Sequence, residues 1–171
     1  MALPRKLKHL NTFINGENWV GLIESFTLAT LNKKFEAYRG GGMIGAAKID
    51  MGYEDDAFDV SFVLGGFEDK VIRQHSADKI DAVQLRFSGG YQRDDSGDVS
   101  IVEIVCRGRY SGVEQGEQKT SENTQTTVNM NCTYYKVIVD GETIIEIDVL
   151  NMVEIVNGKD MMAAHRRAIG L

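Results

Sequence analysis

The chain has one proline in 171 residues, against 18 glycines. Such a chain bends at glycines, not at prolines. Cysteine is nearly as scarce. Cys106 and Cys132 both fall in predicted strands, and neither belongs to a CxxC or has a Cys or His partner at ligand spacing. They are therefore expected to be reduced and buried as small hydrophobes, with no zinc-type centre. Nothing in their spacing supports a disulfide between them. Cations are outnumbered, with 19 Lys and Arg against 25 Asp and Glu and a net charge of −6. That argues against a protein built to grip phosphate, because nucleic-acid binders concentrate Lys and Arg. No apolar run approaches the ~20 residues of a membrane span. The start, Met1 to His9, is basic at Arg5, Lys6 and Lys8, but no apolar stretch follows as in a secretory signal. The expectation is a protein made, or assembled, in a cytosol and not stably inserted in a membrane.

Reactive chemistry is absent too. Gly40-Gly41-Gly42-Met43-Ile44-Gly45 matches GxGxxG literally, but Ala46 to Asp50 offers no amphipathic helix and the sheet looks antiparallel. A dinucleotide site needs both a helix opening on the loop and a parallel sheet. Asp94, Ser96 and Asp98 open like a calcium loop, yet Val99 and Val105 stand where Gly and Glu are required. His75, Ser76 and Asp78 are only sequence neighbours, and no GxSxG elbow exists. Glu54, Asp55 and Asp56 lie in a row, whereas a tuned acid/base pair needs contrasting environments. Asn131-Cys132-Thr133 is a formal glycosylation sequon in mid-strand. No catalytic constellation, cofactor site or metal site survives, so the chain is not expected to be an enzyme.

What the chain does have is alternation. Four strands are predicted in succession: Val83–Phe87, Val99–Gly108, Gln125–Val139 and Thr143–Asp148. In the third, Val128, Met130, Cys132 and Tyr134 point one way and Thr127, Asn129, Asn131 and Thr133 the other. A period of two means one buried and one wet face. Asp140-Gly141 and Asn15-Gly16 are tight-hairpin signals. The second joins strand Leu10–Ile14 to a predicted partner over Trp19–Leu28. Leu31–Tyr38 and Phe58–Leu64 alternate as well. Between them, residues 39–56 form a glycine-rich loop, and a loop that long in a compact domain is usually functional. Glu68–Asp78 is the best helix, with Glu68 and Asp69 in its first turn and Val71 and Ile72 on its apolar stripe. Met161–Ala168 is a second candidate. Tyr91–Asp98 and Ser111–Thr124 are polar connections. The fold class is mainly β: an antiparallel sandwich or barrel-like domain with one flanking helix, one domain over 1–171. It carries a glycine-rich arm, 39–56, and a C-terminal segment, 157–171. Long strands have edges that must be covered or paired. An arm and a polar loop reaching outward fit a subunit of an ordered homo-oligomer.

The order of these fragments is similar to that of the major tail tube proteins of contractile-tailed bacteriophages and of the R-type bacteriocins. The resemblance spans nearly the whole chain. It is carried by Pro4 to Lys8, by Phe13 with Asn15-Gly16, and by Tyr38-Arg39-Gly40-Gly41-Gly42-Met43. Leu64-Gly65-Gly66-Phe67, Tyr91 to Asp95, Cys132-Thr133-Tyr134 and Asp140-Gly141 continue it. Glu146-Ile147-Asp148, Asn151-Met152, Val156 to Asp160 and the ending His165 to Leu171 complete it. There are departures: Ala29-Thr30 stand where the family usually has Pro, as does Glu68 at the helix start.

The resemblance implies a tube subunit that forms six-fold rings stacked into a hollow conduit. A contractile sheath would drive the tube through the host envelope. Implied partners are other copies, the sheath protein, a baseplate or tube initiator, a tail terminator, the tape measure protein in the lumen, and DNA in transit without specific binding. The setting is the virion, with assembly in the bacterial host cytoplasm. A headless bacteriocin tube or a type VI secretion-like tube is the nearest alternative, and a small-ligand β-barrel binder or enzyme a remote one. Under this reading Tyr38, Arg39, Gly40, Gly41, Gly42, Met43, Ile44, Gly45 and Met51 belong to a subunit interface. Asp94, Asp95 and Asp98, with the wet residues Thr127, Asn129 and Asn131, are candidates for the lumen or outer surface.

Overall fold

A computed structural model describes residues 2–171. Twelve strands follow in order: β1 (Lys6–Ile14), β2 (Glu17–Asn18), β3 (Ile23–Thr27), β4 (Lys33–Tyr38), β5 (Ala47–Tyr53), β6 (Val60–Leu64), β7 (Val83–Gln92), β8 (Val99–Glu114), β9 (Thr126–Val139), β10 (Glu142–Asp148), β11 (Val153–Val156) and β12 (Lys159–Asp160). Helix α1 (Asp69–Arg73) lies between β6 and β7, and α2 (Ala163–Ala168) ends the chain. Ten strands form one antiparallel sheet in the order β12-β11-β10-β9-β8-β7-β1-β2, with β6 and β3 branching from β9. β4 and β5 form a separate two-stranded sheet.

Alternation places the core. Val83, Leu85, Phe87 and Gly89 of β7 are buried while Gln84 and Arg86 are exposed. Facing residues come from β6 (Val60, Phe62, Leu64) and β9 (Val128, Met130). The first half of β9 pairs with β6, which pairs with β3. The second half pairs with β10. The sheet curls until Phe26 of β3 meets Phe87 of β7, ring centroids 5.0 Å apart. Trp19 and Val71 of α1 fill the interior, each 2% exposed or less. The result is a barrel-like body with a sheet extension, β10 to β12. Cys106 and Cys132 are both buried free thiols. Hydrogen bonding to Cys132 and burial push the Cys106 thiol up.

Several boundaries differ from the sequence expectation, each for a physical reason. Thr133 has no partner on β8, because Arg107 pairs with Tyr134 and Gly108 with Cys132. This bulge reverses the alternation, so Tyr135 is buried and Tyr134 turns to the wet face. Gly108 is required there: a Cβ on it would lie 2.0 Å from the Asn131 carbonyl oxygen. Trp19–Leu28 is not one partner for β1. Glu17 and Asn18 pair with it, and then the chain leaves to pair β3 with β6. The helix expected over 68–78 is five residues long, since the Gln74 and His75 amides already close turns onto Val71 and Ile72. α2 likewise starts at Ala163, not Met161. Strands β11 and β12 were not anticipated. They are joined by Asn157-Gly158, at φ 49° and 77°, the turn geometry also seen at Asn15-Gly16 and Asp140-Gly141.

Candidate functional site

The glycine-rich segment 39–56 is not a structureless loop. Its second half is β5, antiparallel to β4, with Phe35 opposite Asp50, Glu36 opposite Ile49 and Tyr38 opposite Ala47. Lys48, Ile49, Asp50 and Met51 alternate, which was the available signal. Neither face of this hairpin is covered, so alternation here does not separate inside from outside. Phe35, Tyr38, Ile49 and Met51 are all about half exposed or more, and Ile44 is 102% exposed. An isolated two-stranded hairpin is marginal in water. An arm that spreads apolar side chains on both faces is complete only against another surface.

The tip is a tight turn. The Met43 amide donates to the Gly40 carbonyl at 3.2 Å, and Gly42 has φ +86°. That positive φ at the third turn position calls for glycine. The Arg39 guanidinium donates to the Ile44 carbonyl at 3.2 Å, cross-bracing the tip. The literal GxGxxG is thus a turn between antiparallel strands with no helix following it. Tyr38, Arg39, Gly40, Gly41, Gly42, Met43, Ile44 and Gly45 all lie on the outer half of the arm, and Met51 nearer its base.

The base is anchored by polar groups. The Tyr53 hydroxyl donates to Glu154 at 2.7 Å, and its ring packs tilted against Phe58, centroids 4.8 Å apart. Lys33 donates to Asp50 at 2.9 Å and sits 4.9 Å over the Tyr53 ring. Burial first, then the bond to Glu154, pushes the Tyr53 phenol up, so it stays a donor. The Lys33 ammonium holds the Asp50 carboxyl below the usual carboxylate range.

Beside this base opens a cleft of about 430 Å³, lined by Tyr53, Glu54, Asp55, Phe58, Cys132, Ile147, Asp148, Val149, Met152, Val153, Glu154 and Met162. Its walls are mostly apolar and its charged lining residues are all carboxylates. Sequence reasoning missed it, because the lining comes from four segments far apart in the chain. Met162, at the start of α2, lines one side, and α2 is held by Arg166, which donates to the Met152 carbonyl at 2.8 Å and pairs with Asp160.

The polar stripe and the aspartate cluster lie apart. Thr127, Asn129 and Asn131 sit on the outward face of β9, where Asn129 donates to Glu114 at 3.3 Å. Asn129 and Asn131 also line a shallow groove with Asp56, Asp59 and Ser61. Burial and the neighbouring Asp56 raise the Asp59 carboxyl. Asp94, Asp95 and Asp98 occupy the β7–β8 turn, at the opposite end of β8. A strand of 16 residues rises roughly 50 Å at ~3.3 Å per residue. The two groups therefore make no common patch. Lys8 pairs with Asp94 at 2.9 Å, and the Leu3 amide donates to Asp95 at 2.9 Å. That amide is the first reason the Asp95 carboxyl lies below its usual range. The basic start of the chain thus balances much of this acidic turn.

Between these ends the outward face of the sheet is an ordered wall of balanced charge. Arg86 lies 4.3 Å over Phe13 and pairs with Glu103 at 3.4 Å. Arg107 lies 4.0 Å over Tyr134, whose hydroxyl donates to Glu146 at 2.7 Å. Burial, then that bond, pushes the Tyr134 phenol up to about 12.

A curled antiparallel sheet, a balanced outer wall and an arm uncovered on both faces define a structural subunit, one completed by other chains. Comparison with known proteins specifies which kind. Residues 4–170 match the family model for phage tail tube protein FII, and the chain belongs to that family. It is 48% identical over 172 aligned positions to the tail tube protein of Escherichia phage P2, covering 100% of both chains. It is 38% identical to the major tail tube protein of Serratia phage KSP20, over 94% of this chain and 92% of that one. In fold it is similar to a chain of an extracellular contractile injection system sheath–tube complex in the extended state. There the TM-score is 0.58 at 10% identity, with 80% of this chain and 90% of that one covered. A chain of the 6-fold symmetrised anti-feeding prophage baseplate gives a TM-score of 0.54 at 9% identity, over 81% and 97%. At such low identity these two likenesses concern the fold. The work of the chain is structural: it is a subunit of the tube of a contractile phage tail, and a component of the virion.

Proposed function

We propose that copies of this chain close into six-membered rings, and that the rings stack into a hollow tube through which DNA leaves the particle. The observation that carries this reading is the β4–β5 arm, exposed on both faces and anchored only at its base. Ordering it in an assembly costs roughly 1–2 kcal/mol per residue. An interface that offsets such a cost is of obligate size, of order 2,000 Å² or more. Tyr38 to Gly45 and Met51 would lie in that interface. A sheath around the tube and a baseplate below it are the expected neighbours, in keeping with the sheath–tube complex and the baseplate to which the two similar chains belong. A tail terminator and a tape measure protein complete the set, with assembly in the host cytoplasm. The subunit's work is mechanical, not catalytic. DNA would slip past a chain of net charge −6, because no counterions are released on contact. No helix among the described residues is long and apolar enough to cross a membrane.

Electron microscopy of the purified protein tests the reading. Hollow tubes or rings with six-fold end views are expected. A monomer that stays monodisperse at high concentration would overturn it.

A further inference from the structure

We propose that the arm tip of one copy docks in the acidic, apolar cleft at the arm base of a second copy. This rests on the reading of the chain as a self-assembling tube subunit, and adds which surface meets which. The tip cannot fill its own cleft. Tyr53 lies at the cleft and Ile44 at the far end of the hairpin, and strands rising ~3.3 Å per residue separate them by roughly 30 Å. The Ile44 side chain is fully exposed in its own chain.

Two independent features match tip to cleft. The tip presents Met43 and Ile44, and the cleft offers Phe58, Ile147, Val153 and Met162. Its volume, about 430 Å³, is within the ~300–1,000 Å³ of clefts that seat ligand-sized groups. The charges are also complementary. Arg39 and Lys48 flank the tip and form no ion pair among the described residues, and neither do Glu54 and Asp55 at the cleft. Asp148 adds to the cleft's negative field, Glu154 is partly offset by Lys33 at 3.8 Å, and no Lys or Arg lines the cleft. Tip and cleft are different surfaces, so the contact is heterologous. Such contacts repeat from copy to copy, and they close a ring or extend a filament instead of stopping at a dimer.

The experiment mixes Ile44→Cys protein with Val149→Cys protein, assembles tubes and oxidises them. Both variants carry Cys132→Ala, because Cys132 lines the cleft and could itself capture Ile44→Cys; Cys106 is fully buried and contributes little background. A covalent dimer containing one copy of each variant is expected. It should exceed, at least tenfold, the yield from Ile44→Cys with Val20→Cys, an exposed position on the body. Tubes that form without this cross-link overturn the docking and leave the tube reading intact. Failure of the wild-type protein to form any tube or ring removes both. In whole particles, capture of Val149→Cys by another particle protein in place of the tip also overturns it. The charge pairs give a second readout. Arg39→Glu with Lys48→Glu should cut tube yield at least tenfold, and adding Glu54→Lys with Asp55→Lys should restore it. A charge-reversed tip that assembles like wild type sinks the proposal.

Discussion

The barrel-like body and the β4–β5 arm are built from the same kind of strand, yet they spend their side chains in opposite ways. In the body, alternation separates an interior of Phe62, Phe87 and Met130 from a polar outside. In the arm, Phe35 and Ile49 project from opposite faces and both stay in solvent. Burying an apolar side chain stabilises a fold by roughly 1.5–3 kcal/mol. The body realises that gain within one chain, whereas the arm leaves it unrealised, and on the proposed reading another copy would supply it. If the arm is the interface proposed above, folding and assembly are separately encoded, and substitutions should separate them.

The largest effect on folding is expected at Gly108. A Cβ there would meet the Asn131 backbone oxygen at 2.0 Å, and no rotamer relieves a backbone clash. Gly108→Ala should destabilise the monomer by about 3 kcal/mol or more, the upper end for overpacking. Its urea midpoint measures this, and a loss under about 0.5 kcal/mol would mean the bulge is not specified by this residue.

The junction of the two regions comes next. Tyr53→Phe keeps the ring on Phe58 but removes the hydroxyl that donates to Glu154. The loss should be about 1 kcal/mol, typical of one hydrogen bond, or up to about 3 kcal/mol because the acceptor is charged. Hydrogen exchange should show it as faster opening of β4–β5 amides, with the body unchanged. Equal acceleration in β7 and β8 would mean that arm and body unfold as one unit.

Body and arm were also unequally legible in the sequence. Strict alternation in β9 up to Cys132 locates the core, because half-burial imposes a period of two. Asp140-Gly141 and Asn15-Gly16 locate two hairpins by their demand for positive φ. The bulge at Thr133 was illegible, since Tyr134 and Tyr135 are both aromatic and either could be the buried one. β5 was hidden by the glycines around it and by its lack of a buried face. The cleft was invisible because residues 53–58, 132, 147–154 and 162 are joined only by the fold. Signals that follow from local backbone physics survive in one dimension. Surfaces made by long-range closure do not.

A smaller effect follows from pH. Asp50 has a depressed carboxyl, with Lys33 as the first cause. A depressed carboxyl contributes stability that is present above its unfolded value, near ~3.9, and is lost as pH falls through the folded value. Arm-base order should therefore hold at neutral pH and decline below about pH 4. Exchange of the Gly52 amide, which donates to Asp50 at 2.8 Å, reports it. Asp50→Asn should flatten that dependence, and a profile unchanged by the substitution would assign it to other carboxylates.

The smallest effect on folding should accompany the largest on assembly. Phe35 and Ile49 are 54% and 47% exposed and make no part of the core cluster. Replacing both with Ser removes little that the monomer buries, so its unfolding free energy should change by less than about 0.5 kcal/mol, as for ordinary surface sites. In a tube the same two side chains would be covered on opposite faces of the arm. At about 25 cal/mol per Å² of apolar surface, their loss would cost each subunit several kcal/mol, repeated around every ring. Sedimentation velocity should show a folded double variant that stays small at concentrations where wild type forms tubes. A variant that is destabilised yet still polymerises would invert the comparison and place Phe35 and Ile49 with the body.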